Sequence, residues 1–332
     1  MPAKNTKKTV IVSFLTVAIV ALITALGLGF YFNRQRIFDS ISANSYSPSA
    51  AIATIESKIN FTDDGDLIFR ASHPSLESRD NFNERCKSHN EEVSVLGCYT
   101  NGTIYLYNIE EPELNGIVES TAAHELLHAV WERTSQAEKS SISAALIDVY
   151  NDEKYHELLA EDLDSYADDE RIEELHSRVG TEIATLPDVL EQHYAKYFKN
   201  QDLVVDYYNN YITPFRELSE EIDNLSSKLD ELNTLIEQKT SAYYKYADDL
   251  SAKIDDFNQC AKTPNCFAND VSLFARRNTL VGEQNTLGDM YSELNQLIND
   301  YNLVVEEYNS NVLRGRTLEQ AINSNKQVEK LN

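Results

Sequence analysis

The sequence predicts an α+β domain built around one buried helix, followed by a long antiparallel α-helical coiled-coil hairpin. A single N-terminal transmembrane helix precedes both. Three observations lead there. Residues Thr9 to Phe32 form an apolar stretch of about two dozen positions without a charge, long enough to span a bilayer. Short β-type runs bounded by turn residues come before an apolar helical run centred on Ala122 and Ala123. From Phe215 onward, apolar side chains recur three and four apart along two long stretches.

The order of elements follows from the N-terminus. Lys4, Lys7 and Lys8 precede the apolar run, and Arg34 and Arg36 follow it. Residues 1–8 are read as cytoplasmic and 9–32 as an uncleaved anchor. A cleaved signal peptide ending at Ala25-Leu26-Gly27 is the rival reading. The run continues through Leu28, Phe30, Tyr31 and Phe32, which is longer than a signal core needs. Residues 33–49 are polar and read as a linker, with Ser42 to Ser49 as a tether.

Charge and cysteine use place the rest of the chain. No acidic residue occurs before Asp39, and five of the 29 basic residues lie at or before Arg36. The part beyond Arg36 therefore carries 24 basic against 54 acidic side chains. Such a surface repels nucleic acid and excludes it as a partner. The four cysteines pair by proximity as Cys86 with Cys98 and Cys260 with Cys266. Two local pairs suit disulfides in an oxidising compartment, so this part is expected at the cell membrane on its extracytoplasmic side.

Residues 50–200 read as the α+β domain. Leu67–Arg70, Val93–Leu96 and Thr103–Tyr107 are strand-like, with turn signals at Asp64-Gly65 and Asn101-Gly102. The second and third strands are expected to form a hairpin, with Thr103–Tyr107 as an edge that could take an extended peptide by strand addition. The helix opening at Ile117-Val118 is apolar on most sides and is therefore expected to be buried.

Residues 201–312 read as the hairpin. Phe215, Leu218, Ile222, Leu225, Leu229, Leu232 and Ile236 form a heptad seam, which resumes at Tyr243, Ala247, Leu250, Ile254 and Phe257 after a polar break near Lys239-Thr240. A second seam runs through Leu280, Gln284, Leu287, Tyr291, Leu294, Ile298, Tyr301, Val305 and Tyr308. The short connection from Cys260 to Cys266 makes these two arms of about 40 residues, each roughly 60 Å long. Residues 313–332 read as a polar tail.

The chemistry concentrates in His124-Glu125-Leu126-Leu127-His128. Two histidines four apart share one helix face, so both imidazoles can grip one metal ion, and Glu125 can face the water that ion would hold. Buried histidines and a glutamate need a shared reason to leave water. These residues resemble the zincin metallopeptidases. The extended form with a third histidine is absent, because Ala129 to Thr134 follow His128. The resemblance is therefore to the glutamate-completed (gluzincin-like) branch, and it covers about Ile117 to Tyr197. It implies Zn²⁺ as cofactor and a third ligand from a downstream helix, often a glutamate with a small residue three positions later. Glu174, with Ser177, fits. Glu182 competes if the helix continues past Gly180, because it lies nearer the apolar face of Ile172, Leu175 and Val179. Glu157 is read as solvent-facing. His176, Tyr166 and Tyr194 are weaker candidates for polarising a substrate carbonyl, and His73, His89, His156 and His193 are read as surface or packing residues.

The resemblance implies a membrane-anchored zinc metallopeptidase acting on a protein or peptide substrate. His124, His128 and Glu174 (or Glu182) hold the metal, and Glu125 acts as general base. The alternative is a non-catalytic spacer in which the hairpin binds a protein partner and any zinc is structural or vestigial. Glu125 favours the enzyme, since a structural site needs no carboxylate beside its metal.

Overall fold

The computed structural model describes residues 33–86, 96–163 and 168–323, together with 24, 27, 30 and 166. Most of the expected anchor, 9–32, lies outside the described residues, as do Val93 to Val95 and the chain beyond 323. Among the described residues no helix is long and apolar enough to cross a membrane. The chain divides into two compact units, Met1–Thr213 with Glu319–Asn332, and Pro214–Leu318.

The expected linker is not a tether. Residues 33–45 form a helix (α1) whose inner face is fixed by polar contacts. Asp39 is buried against Arg133 at 3.0 Å, Ser42 Oγ donates to the Ala71 carbonyl at 2.9 Å, and Tyr46 OH donates to the Pro74 carbonyl. A polar composition suggested a loose connector because these contacts are long-range and leave no periodic apolar signal.

Helices α2 (Ala50–Ile59) and α3 (Asp63–Ala71) follow. Leu67–Arg70, expected as a strand, lies in α3. Thr62 caps that helix by accepting from the Gly65 amide at 3.1 Å, and Asp63, Asp64 and Asp66 occupy its first turn. Acidic residues there complement the helix dipole, and four apolar or long residues alone cannot distinguish strand from helix. Asp64-Gly65 is accordingly helical rather than a turn.

Strand β1 (Ser75–Glu77), helix α4 (Arg79–Arg85), and strands β2 (Gly97–Thr100) and β3 (Thr103–Tyr107) complete the sheet region. The order is β1-β3-β2, with β1 parallel and β2 antiparallel to β3. Asn101 and Gly102 both have positive φ, 51° and 76°, as a two-residue hairpin turn requires. The hairpin is therefore as expected: Gly97–Thr100 pairs with β3, and Leu96 extends the ladder by accepting from the Tyr107 amide at 2.8 Å. Thr103–Tyr107 is the central strand, not an edge, because β1 occupies its other side. The Cys86–Cys98 disulfide joins the end of α4 to β2.

Helix α5 (Ile117–Arg133) is buried on nearly all sides, as its composition predicts. It packs on the sheet, on α2 and α3, and most extensively on α8 (Asp168–Glu182). Helices α6 (Gln136–Tyr150), α7 (Glu153–Leu163) and α9 (Asp188–Tyr194) close the core around Leu126, Leu127, Leu146, Leu159, Val179 and Tyr194.

Helices α10 (Gln201–Lys262) and α11 (Asp270–Ile322) are 62 and 53 residues long, longer than expected. The first compact unit also takes in the start of α10, where Val204, Val205 and Tyr208 are buried. Within the second unit the arms run antiparallel. Lys239 pairs with Glu293 at 2.6 Å, Lys253 with Glu283 at 3.1 Å, and Arg276 with Asp256. Pairing by Lys239 explains why the polar position there does not break the helix. The Cys260–Cys266 disulfide closes the tip. The first seam is as expected, each of its twelve residues being buried or half-buried. Six of the nine residues of the second are buried or half-buried, and three are displaced by one residue. Glu283, Met290, Leu297 and Val304 face inward, while Gln284, Tyr291 and Ile298 are exposed. The apolar neighbours Leu297-Ile298 and Val304-Val305 fit either phase, and Glu283 enters the seam because Lys253 meets it there. The expected polar tail starts too early, since α11 continues to Ile322 with Leu318 buried.

Candidate metal centre

One turn of α5 separates His124 from His128 and sets their Nε2 atoms 3.1 Å apart. Glu174 of α8 meets both, with Oε1 3.5 Å from His124 Nε2 and Oε2 3.4 Å from His128 Nε2. One donor atom from each residue lies within 4.8 Å of the others. Four-coordinate zinc with ligands near 2.0–2.1 Å has donor separations of about 3.3 Å, so the three groups stand close to one face of such a tetrahedron. The three side chains are 13–22 % exposed, which leaves the open side within reach of solvent.

Helix α8 reaches this position because Gly180 faces α5. A Cβ at Gly180 would lie 2.5 Å from Leu127 Cδ1 and 2.6 Å from Tyr194 Cε1. Gly180 therefore permits close helix packing and does not end α8, which continues to Glu182. That continuation was the condition favouring Glu182 as third donor, yet Glu182 is turned away. Arg178 holds it at 2.9 Å and also donates to the carbonyls of Leu158 and Leu159. Helix α8 also buries His176, Ser177, Arg178 and Thr181, so its apolar side alone does not mark what meets α5.

Glu173, which the sequence reading did not single out, contributes from the same helix. Its Oε1 lies 3.1 Å from His128 Nδ1. A proton on Nδ1 donated to Glu173 leaves the Nε2 lone pair directed at the other donors, as for most metal-binding histidines. The only sequence signal was two adjacent glutamates, of which successive helix positions aim one at each imidazole or at either side of one.

Electrostatics reinforce the cluster. Burial works against charge on His128, but its hydrogen bonds to the Glu173 and Glu174 carboxylates raise its pKa well above the ordinary value. Burial likewise opposes the His124 charge, and Glu174 more than reverses it. Glu174 is held well below the usual carboxylate range by the two imidazoles, although its burial acts in the other direction. The carboxylates thus favour positive charge at the two imidazoles, the charge a bound cation would supply in place of protons.

Glu125 is 5 % exposed and carries its charge within electrostatic reach of both imidazoles. Its carboxylate lies against β2. A Cβ at Gly97 would fall 2.6 Å from Glu125 Oε1, so only glycine lets the strand pass so close. No family model matches this chain, and no characterised protein or solved structure matches it.

The weaker candidates lie elsewhere. His176 is fully buried with its Nε2 2.8 Å from His193 Nε2, and His193 Nδ1 is 3.2 Å from Glu138. If His193 donates through Nδ1, its Nε2 accepts from His176. Burial pushes both imidazoles below the ordinary histidine range, so the pair is neutral. Tyr194 OH donates to the His176 carbonyl at 2.8 Å and is committed to the core. Tyr166 accepts through its backbone carbonyl from Arg171. His73 contacts Ser42, His156 contacts the Tyr150 carbonyl, Glu157 is exposed, and His89 lies outside the described residues.

Proposed function

We propose that the chain is a membrane-anchored, extracytoplasmic zinc peptidase of the zincin type, with His124, His128 and Glu174 as metal ligands. What carries the reading is that a carboxylate from a second helix closes the donor triangle while Glu125 stands beside it unused as a ligand. Zn²⁺ held there supplies a Lewis acid and a lowered pKa for water. Glu125 accepts a proton from the attacking water and returns it to the departing amine. Glu173 holds the His128 ring, and the buried α5 keeps both imidazoles from swinging.

Strand β2 offers a place for substrate. Among the described residues it forms the sheet edge, and Gly97 brings its backbone against Glu125. An extended peptide added to that edge would lie beside the general base. The disulfides support an oxidising compartment, and the run Thr9–Phe32 supports the anchor. The hairpin is then a spacer or partner-binding arm for the catalytic unit.

The test is metal content of the purified full chain beside His128→Ala, followed by a peptide-library cleavage screen. One zinc per chain, lost in the variant, together with zinc-dependent cleavage, is the expected result. A folded, disulfide-intact chain that takes up no added zinc would refute it and leave the spacer reading.

Proton competition gives a second test. Because the metal-free imidazoles have raised pKa values, they hold protons at pH values where free histidine is neutral, and zinc must displace them. Apparent zinc affinity therefore falls on acidification, by up to about a hundredfold per pH unit while both rings are protonated. Titration with zinc at several pH values measures the slope, and a flat profile from pH 8 to 6 would contradict the assignment.

A further inference from the structure

We propose that α1 is a membrane-interface element, and that its exposed apolar stripe beds into the bilayer and holds the metal centre close to the lipid surface. The inference rests on the anchored-peptidase reading. Phe30, Ile37, Phe38 and Ile41 are 53 %, 37 %, 57 % and 63 % exposed, and residue 30 is helical like 33–45. Their spacing, with Arg34 among them, places them on one side of a helix. Asp39, whose ion pair with Arg133 holds α1 to the catalytic unit, lies about 160° from Ile37 and Ile41 and about 100° from Phe38 around its axis. The apolar stripe therefore faces away from the protein.

Chain continuity identifies what covers it. The stripe continues the apolar run that ends at Phe32, so the nearest apolar medium is the bilayer. Twenty-four helical residues measure about 36 Å, against about 30 Å of hydrocarbon. Such an excess is taken up by tilting, which turns one side of the emerging helix down towards the headgroups. Apolar residues on that side gain burial.

The attachment is stiff. Arg133, which ends α5, binds the buried Asp39 and also donates to Tyr99 OH in β2 at 3.0 Å. From Asn33 through Asp39 and Arg133 to His124 the path is at most roughly 35 Å. A centre held this near the membrane acts on polypeptide segments presented close to that same surface.

Trp131 is the only tryptophan and is 7 % exposed, so it gives a low background for lipid quenching. The full chain is reconstituted in phosphatidylcholine vesicles with and without brominated acyl chains, as the parent, Phe38→Trp, Ile41→Trp and Val189→Trp. Val189 is an exposed control on α9. Brominated lipid should quench Phe38→Trp and Ile41→Trp by at least half and leave the parent and Val189→Trp little changed. Uniformly weak quenching would overturn the proposal. So would shielding that grows with protein-to-lipid ratio and not with bromination, which would assign the stripe to a second copy.

Alkaline carbonate extraction separates the underlying reading. Release of the parent chain sinks the anchor and the docking together, whereas a retained chain without quenching sinks the docking alone. With an active preparation, Phe38→Asp should lose at least tenfold on a lipid-tethered peptide while cleavage of the same free peptide is unchanged. Equal loss on both would count against membrane-proximal selection.

Discussion

Glu125→Gln is expected to bind zinc as the parent chain does and to lose about 10²–10⁴-fold in turnover, the usual contribution of a positioned general base. The amide keeps the shape of the carboxylate in its narrow place between α5 and Gly97, where there is no room for a larger group. It cannot take a proton at neutral pH. Parallel measurement of zinc content and peptide cleavage separates this from loss of the site. Turnover within a few-fold of the parent would remove Glu125 from the mechanism, and a joint loss of zinc and activity would make it a structural part of the centre.

The two competing glutamates should fail in different ways. Glu174→Ala removes a donor and leaves two imidazoles, so zinc affinity should drop by more than the 10–100-fold typical of losing a supporting group. Glu173→Gln belongs to that milder class, because it weakens only the grip on His128 Nδ1. Glu182→Gln should leave zinc affinity unchanged and lower stability by about 3–5 kcal/mol, because Arg178 would be left as a buried, unpaired charge. Zinc titration and thermal melting on the same three variants provide the check. Loss of zinc by Glu182→Gln with no loss by Glu174→Ala would reverse the ligand assignment.

This contrast shows where sequence reading stops. His124 and His128 are related by one helical turn, so their shared face follows from the helix itself, and Glu125 comes with them. Glu174 is fifty residues from His124. Its role depends on how closely α8 approaches α5, which Ser177 and Gly180 permit but do not announce. Gly180 as easily signals a helix end as a close contact. Glu173 was not legible at all, because a carboxylate beside another carboxylate on an acidic helix reads as solvated surface.

The same division appears in the fold. The buried α5, the Asn101-Gly102 hairpin, both cysteine pairs and the first heptad seam follow from spacing over a few residues. Leu67–Arg70 is helical because Thr62 caps it and the core covers Phe69. The second seam takes its phase from Lys253 and Glu283 across the hairpin. Thr103–Tyr107 becomes a central strand only when Ser75–Glu77 pairs beside it.

By itself, then, the sequence determined the histidine pair, the carboxylate beside it, the paired cysteines and the existence of a helical hairpin, all set by short-range periodicity and covalent neighbourhood. The tertiary structure alone decided which glutamate joins the two histidines, the contact of Glu173 with His128, the sheet edge beside Glu125 and the conversion of the expected tether into a fixed helix. Each of these depends on which distant surfaces fit together, and close packing between separate elements is not written in the period of either one.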